Sequence, residues 1–337
     1  MIFFNPIIIL IITVILILIF KKKFLLSNST GEKHQIFTSS KNIPLLGGIL
    51  IFISLILDFN IHYVNFYIFC FLILILGILS DLKKISSPIL RFLIQLIIII
   101  IFIYILDINI NSIRINLIDN FLTNLYFNIF FVSFCTLIIL NGSNFIDGMN
   151  TSALGYYLIV SLTIKYLSLN EYNLNLYFNL DYFILVLIIF YFFNFFNKLY
   201  LGDNGAYLLG LIYSVSLINF YNYNANISPF FIVLLLWYPA FENLFSIIRK
   251  MNLKRSPIKP DTLHIHQLIY RFLTKNLLNN KENLSNTLTG NLINIYNLII
   301  IFIGILDVNN SEYQIFLIIF NIIFYVVLYV RLLKIVK

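Results

Sequence analysis

The chain has 337 residues, of which 61% are hydrophobic and 11% charged, with a formal net charge of +8 and a mean hydropathy of +0.95. Soluble domains carry roughly 25% charged residues, so this composition excludes an ordinary soluble fold and predicts a polytopic membrane protein. The positive charge would suit nucleic acid, but its distribution along the chain argues against that partner and none is expected. Heavy use of Ile, Phe, Asn, Tyr and Lys reads as a coding bias without functional content. Cys70 and Cys135 both lie in apolar stretches, so no disulfide framework is expected.

A bilayer core takes about 20 apolar residues per helix. In chain order, apolar stretches predict spans at 2–20, 43–58, 61–79, 88–106, 123–140, 153–169, 180–197, 205–220, 229–248, 291–306 and 313–330. The first has no basic residue before it and Lys21, Lys22 and Lys23 after it. That is the reverse of a signal peptide, so it reads as a retained helix. The weakest are 43–58, which contains Gly47 and Gly48, and the short 205–220. Between 107 and 122, apolar residues alternate at 108 and 110 and again at 113, 115 and 117, around Asn111-Ser112. That two-residue period predicts a short β-hairpin at 107–118 on the outer side. The longest polar stretch, 249–290, is expected to be a cytoplasmic loop with structure of its own and a mobile end at 276–290.

The predicted fold is therefore an all-α polytopic membrane protein of eleven spans, forming a single domain over 1–337. Eleven crossings place the termini on opposite sides. With the N-terminus outside, in the periplasm, every Lys and Arg except Arg114 and Lys165 falls on the inner side. The positive-inside rule makes that side, and the C-terminus, cytoplasmic.

On this topology five carboxylates, Asp81, Asp147, Asp203, Glu242 and Asp261, share the inner face. Scarce acids gathered there usually hold a cation, a proton path or a phosphate-metal complex. Asp81 ends one predicted helix and Pro88 starts the next, with Arg91 and Gln95 following; taken alone, a helix-end Asp near lysines is more often a solvated surface charge. Asn141, Asn144 and Asp147 are spaced three apart and share a face if the stretch is helical. Two amides and a carboxylate can read hydroxyls and imide edges of a ligand, although Asn, Gly and Ser also make ordinary polar loops. Asp203 sits between two glycines at a helix start, where it serves as a cap, a ligand contact or both. Arg249, Lys254, Arg255 and Lys259 precede Asp261-Thr-Leu-His-Ile-His-Gln, which contains His264 and His266. Imidazoles beside basic residues suit a multiply charged phosphate better than zinc, since no cysteine is near and the acids are hard donors.

Taken together, the ordered set resembles the bacterial polyprenyl-phosphate N-acetylhexosamine-1-phosphate transferases, a glycosyltransferase family 4 group. The matching elements are Ile43-Pro-Leu-Leu-Gly-Gly-Ile, the segment ending at Asp81, Asn141 to Asn150, Leu201 to Gly210, and Asp261 to Gln267. They span about residues 30–275 and are most similar to the UDP-GlcNAc-type enzymes. The resemblance implies that a sugar-1-phosphate passes from a UDP-N-acetyl sugar to undecaprenyl phosphate, a membrane lipid, releasing UMP and starting an envelope glycan such as lipopolysaccharide O-antigen or teichoic acid. It implies Mg²⁺ or Mn²⁺ on Asp203, with Asp81 orienting the lipid phosphate or sharing the metal. It places Asn141, Asn144, Asp147, Arg249 and Asp261 at the nucleotide sugar and His264 and His266 at its diphosphate. It also implies the bacterial inner membrane, a site facing the cytoplasm, and, from the lipid-I relatives, a homodimer.

Three positions depart from the family pattern. Ser80 stands where a second Asp is usual, Asn150 where an Asp is usual, and Gln267 where a second adjacent His is usual. Two alternatives follow: a catalytically impaired member acting as a lipid-binding scaffold, for which Ser80 is the best argument, and a membrane transporter or flippase.

Overall fold

The structure is a computed structural model describing residues 4–23, 25–27, 43–170, 172–254, 256, 262–278 and 281–336. Asp261, expected at the nucleotide sugar, lies outside the described residues. The chain is all-helical: α1 (Phe4–Lys23), α2 (Gly47–Leu57), a 3₁₀ turn (Ile61–Tyr63) leading into α3 (Val64–Asp81), α4 (Pro88–Ile105), α5 (Asn116–Leu122), α6 (Leu125–Ile146), α7 (Ser152–Leu169), α8 (Leu180–Phe195), α9 (Gly202–Tyr223), α10 (Pro229–Leu235), α11 (Trp237–Asn252), α12 (Ile265–Asn276), α13 (Glu282–Ile305) and α14 (Ser311–Val336). Local chemistry starts several of them. Ser87, Asn124, Asn179 and Ser228 each accept a backbone N–H from the first turn of the helix they precede, and Pro88 and Pro229 follow two of those caps.

Each of the eleven predicted apolar stretches is helical, but they are not eleven equivalent spans. Seven helices are long and apolar enough to cross a membrane, or eight if α10 and α11, bent by 74° at their junction, count as one. The protein is thus a multi-pass membrane protein. Helices α2 and α8 are shorter, at 11 and 16 residues, and α9 is long but carries Asn, Gly, Ser and Tyr throughout. Helix α9 tolerates that composition because it does not face lipid. Every residue from Asn204 to Ile218 is buried against α2, α3, α6, α7 and α10. Helices packed on other helices rather than on lipid can hold polar side chains that bond across the interface. Ser161 of α7 and Tyr213 of α9 make such a bond, as do Ser143 of α6 and Tyr157 of α7. By contrast α1, α4 and α14 turn bare apolar faces outward, with Leu18, Ile97 and Phe316 among the most exposed.

The predicted hairpin does not form. Residues 108–113 are irregular and α5 takes over at Asn116. Side chains claim the backbone groups that a partner strand would have paired. Asn128 of α6 both donates to the Ile110 carbonyl, at 2.9 Å, and accepts its N–H, at 3.0 Å. Asp119 accepts the Ile113 N–H at 2.7 Å. The alternation instead reflects Ile108 and Ile110 packing inward. Within the 249–290 stretch, α12 occupies 265–276, and α13 begins at Glu282, earlier than the span predicted from 291.

The two ends of the bundle differ in charge. Helix α9 has 22 residues, which at 1.5 Å per residue is about 33 Å, a membrane thickness. Asp203 is in its first turn. At the far end Arg114 ties the loops after α9 and α13 together, donating to the carbonyls of Ala225, Asn226, Ile227 and Asn309 at 2.8–3.0 Å. Lys165, late in α7, pairs with Asp181 at 2.8 Å.

Candidate functional site

The site is built where α3 and α6 end and α9 and α12 begin. Asp81, the last residue of α3, spends both carboxylate oxygens on α9. One accepts the Asp203 N–H at 3.0 Å; the other accepts the Asn204 N–H at 3.1 Å and the Asn204 side-chain amide at 2.5 Å. The α9 N-terminus exposes unsatisfied N–H groups and the positive end of the helix dipole, so a carboxylate there is doubly favoured. Asp81, expected at the lipid phosphate or the metal, caps α9 and fixes Asp203 in this structure.

Asn204, fully buried, is the knot of this corner. Its amide also donates to the Leu45 carbonyl at 3.1 Å, and its carbonyl oxygen accepts the Gly48 N–H at 2.7 Å. Glycine is required around it. A Cβ on Gly77 would lie 2.2 Å from the Asn204 Cα, and one on Gly48 would lie 2.4 Å from its side-chain oxygen. Sequence reasoning missed Asn204. Its only signal was a polar residue between Asp203 and Gly205 in an otherwise buried helix.

Asp203 faces Ser80 and Arg91. The Ser80 hydroxyl donates to its Oδ2 at 2.5 Å, and Arg91 donates to the same oxygen at 3.0 Å and to Ser80 Oγ at 2.5 Å. The position where a second Asp is usual is therefore wired directly to Asp203. The pairing of Arg91 with Asp203 is partly exposed and so is a modest electrostatic contact.

The regular three-residue step of 141, 144 and 147 is helical, as α6 runs to Ile146 and Asp147 follows as its C-cap. Asn141 donates to Gln95 at 3.0 Å and Asn144 to the Tyr207 hydroxyl at 3.3 Å. The Asp147 carboxyl lies beside the Gly202 backbone, at the start of α9. Burial, then the nearby Asp203 and Asp81 carboxylates, push its carboxyl well above the usual range. Asn150 does not join this group; its amide donates to Asn197 at 2.6 Å and its N–H to Asn286 at 2.7 Å.

The imidazoles meet the same α6 end. His264 lies against Phe145, ring centroids 5.2 Å apart, and stacks on His266 at 5.5 Å. The His266 ring sits where only glycine fits: a Cβ on Gly148 would be 2.2 Å from its Nε2. Gln267 accepts the His264 N–H at 3.2 Å, so the residue replacing the usual second His closes the first turn of α12. Glu242 of α11, fully buried, bonds His264 Nδ1 at 2.8 Å. Arg249, seven residues further along α11, reaches the Leu263 carbonyl and the Tyr329 hydroxyl. Its guanidinium lies over the Phe245 and Tyr329 rings, which places it beneath the His264 segment. Among the described residues, no three of the His, Cys, Asp and Glu side chains surround one point as a ready metal cage.

Comparison with known proteins agrees with this geometry. A model of the family described as glycosyl transferase family 4 matches residues 63–221, which hold Asp81, Asp147 and Asp203 but stop short of the imidazoles. A probable undecaprenyl-phosphate N-acetylglucosaminyl 1-phosphate transferase of Bacillus subtilis (strain 168) is 28% identical over 250 residues, covering 69% of this chain and 67% of that protein. An undecaprenyl-phosphate alpha-N-acetylglucosaminyl 1-phosphate transferase of Thermotoga maritima is 26% identical over 235 residues, covering 69% and 70%. A decaprenyl-phosphate N-acetylglucosaminephosphotransferase of Mycolicibacterium smegmatis is 31% identical over a shorter 152 residues, 39% and 37% of the two chains. The ends of α3 and α6 and the start of α9 gather into one acidic corner inside the stretch that is similar to glycosyl transferase family 4.

Proposed function

We propose that this protein transfers a sugar-1-phosphate, N-acetylhexosamine-1-phosphate, from a UDP-sugar to undecaprenyl phosphate and releases UMP. The observation that carries the reading is the meeting of the Asp81–Asp147–Asp203 corner with His264 and His266 across the end of α6. The reaction brings two anionic phosphates together, so a site for it needs charge neutralisation and firm positioning more than covalent chemistry. A phosphate monoester has its second pKa near 6, so the lipid phosphate arrives as a nucleophile without a dedicated base. That is why Ser80 in place of an acid is compatible with turnover.

The donors fit a hard divalent cation. Asp203 and Asp147 are oxygen ligands crowded with Asp81, a like-charge arrangement that a cation relieves. Mg²⁺ usually takes one or two carboxylates and fills its shell with water and phosphate oxygens, so a three-residue cage is not needed. Asp203 and Asp147 would hold Mg²⁺ or Mn²⁺, and Asp81 would hold Asp203. When bound, the ion would neutralise the diphosphate. Arg91, His264 and His266 supply the protein's own positive and hydrogen-bonding groups, while Asn141 and Asn144, whose amides are bonded to Gln95 and Tyr207 here, would offer their remaining groups to the nucleotide.

The location of the site supports an inner-membrane enzyme working from the cytoplasm. Asp81, Asp147 and Asp203 share one end of the bundle with Arg91 and Arg249, and Arg114 and Lys165 are at the other, the pattern expected if the end that carries the site is cytoplasmic. In that arrangement α2, α8 and α9 complete eleven crossings within the protein, with the N-terminus outside. The assigned residues all come from one chain, so the reading needs no homodimer. Asp81, Asp147 and Asp203 stand at helix ends, whereas transport sites lie near the bilayer midplane, which disfavours the transporter reading.

Purified protein given Mg²⁺, undecaprenyl phosphate and a panel of UDP-N-acetyl sugars is expected to release UMP. Silence across the panel, with Ser80→Asp also silent, would favour the scaffold reading instead.

A further inference from the structure

Two parallel rungs run from α14 through α11 to the segment that carries the imidazoles. Tyr325 donates to Glu242 Oε2 at 2.5 Å, and Glu242 Oε1 bonds His264 Nδ1 at 2.8 Å. One turn along, Tyr329 bonds Arg249 at 3.2 Å, and Arg249 bonds the Leu263 carbonyl. Residues four and seven apart share a helix face, so Tyr325 and Tyr329 on α14, and Glu242 and Arg249 on α11, are in register. Phe245 packs edge-on against both tyrosines, with centroids 5.1 and 4.9 Å away. That ring fixes the spacing of the rungs.

We infer that Glu242, backed by Tyr325, is the positioning residue of His264, setting the orientation and tautomer of its ring for contact with a phosphate group. The inference rests on the transferase reading for what His264 touches. A carboxylate bonded to Nδ1 assigns the proton to that nitrogen and makes Nε2 the ring's other contact. It also balances the positive charge that builds on the ring when Nε2 serves an anion. A fully buried carboxylate is costly unless its oxygens are bonded. Here one oxygen accepts from Tyr325 and the other is bonded to the imidazole, so the acid is retained in a specific geometry. The Arg249 rung holds the backbone of the neighbouring residue, so the ring and its main chain are fixed separately.

Kinetics and a spectrum test this together. With UDP-N-acetylglucosamine and undecaprenyl phosphate, Glu242→Gln is expected to lower kcat about 10- to 100-fold, the usual range for a group that orients a functional side chain. Tyr325→Phe, which keeps the acid and the packing, should cost about fivefold, the loss of one hydrogen bond. In a His264→Ala background Glu242→Gln should remove nothing further, whereas a merely structural acid would cost as much as before. Nitrogen-15 histidine spectra of the wild-type protein, assigned with His264→Ala, should place the His264 proton on Nδ1. A proton on Nε2 alone, or an undiminished Glu242→Gln loss in the His264→Ala background, overturns the inference. Wild-type protein that releases no UMP would retire the transferase reading, and its nitrogen-15 spectrum would still decide the positioning role.

Discussion

The acidic and imidazole halves of the site are held in opposite ways. The acidic half is fixed by main chain: Asp81 caps α9, and Asn204 stitches α2, α3 and α9 together through amide contacts that leave no room for a side chain at Gly48 or Gly77. The imidazole half is fixed by distant side chains: Glu242 and Arg249 from α11, and Tyr325 and Tyr329 behind them from α14. A rigid backbone corner suits groups that place a cation and a phosphate. A ring that exchanges charge with a ligand suits a mount whose own charge and hydrogen bonds can answer it.

The contrast makes ordered predictions. The largest effect is expected for Asp203→Asn, which keeps the shape of the corner and removes the charge proposed to hold the ion. Turnover should fall about 1000-fold or more, within the range of losses for an electrostatic group at phosphoryl transfer, with detergent-solubilised melting unchanged. Surviving activity would remove Asp203 from the cation site. Next is Gly77→Ala, whose Cβ would meet the Asn204 backbone at 2.2 Å. It should destabilise the protein by about 1–3 kcal/mol, read as a lower melting temperature; an unchanged melt would mean that the corner gives way easily. The smallest is Ser80→Ala. Loss of the hydroxyl shared by Asp203 and Arg91 should cut activity about fivefold. A hundredfold loss would mean that Ser80 itself handles substrate.

The two halves also differed in how far the sequence revealed them. Asp81, Asp147 and Asp203 are marked by local signals, a helix end, a three-residue step and a glycine-flanked first turn, and each signal is set within a few residues. Glu242 stood out as an acid in an apolar stretch, but its partners His264 and Tyr325 are 22 and 83 residues away, beyond any periodicity. The fold followed the same rule. Apolar runs predicted where helices lie, because burial and lipid exposure both select such runs. They did not distinguish lipid-facing α4 from enclosed α9, because only tertiary packing makes α9 tolerable as a polar helix. The hairpin failed for a related reason: Asn128, 18 residues from Ile110, captured backbone groups that alternation alone assigned to a strand.

The account stands on the two halves forming one site across the end of α6. The most direct measurement is cross-linking between positions 148 and 266, in protein carrying Gly148→Cys and His266→Cys with Cys70 and Cys135 replaced by Ala. A short bifunctional thiol reagent should join the two cysteines intramolecularly in membranes, seen as loss of both thiols without a dimer band. Two thiols that both react but are never bridged, in protein that remains folded, would separate the acids from the imidazoles and contradict the account.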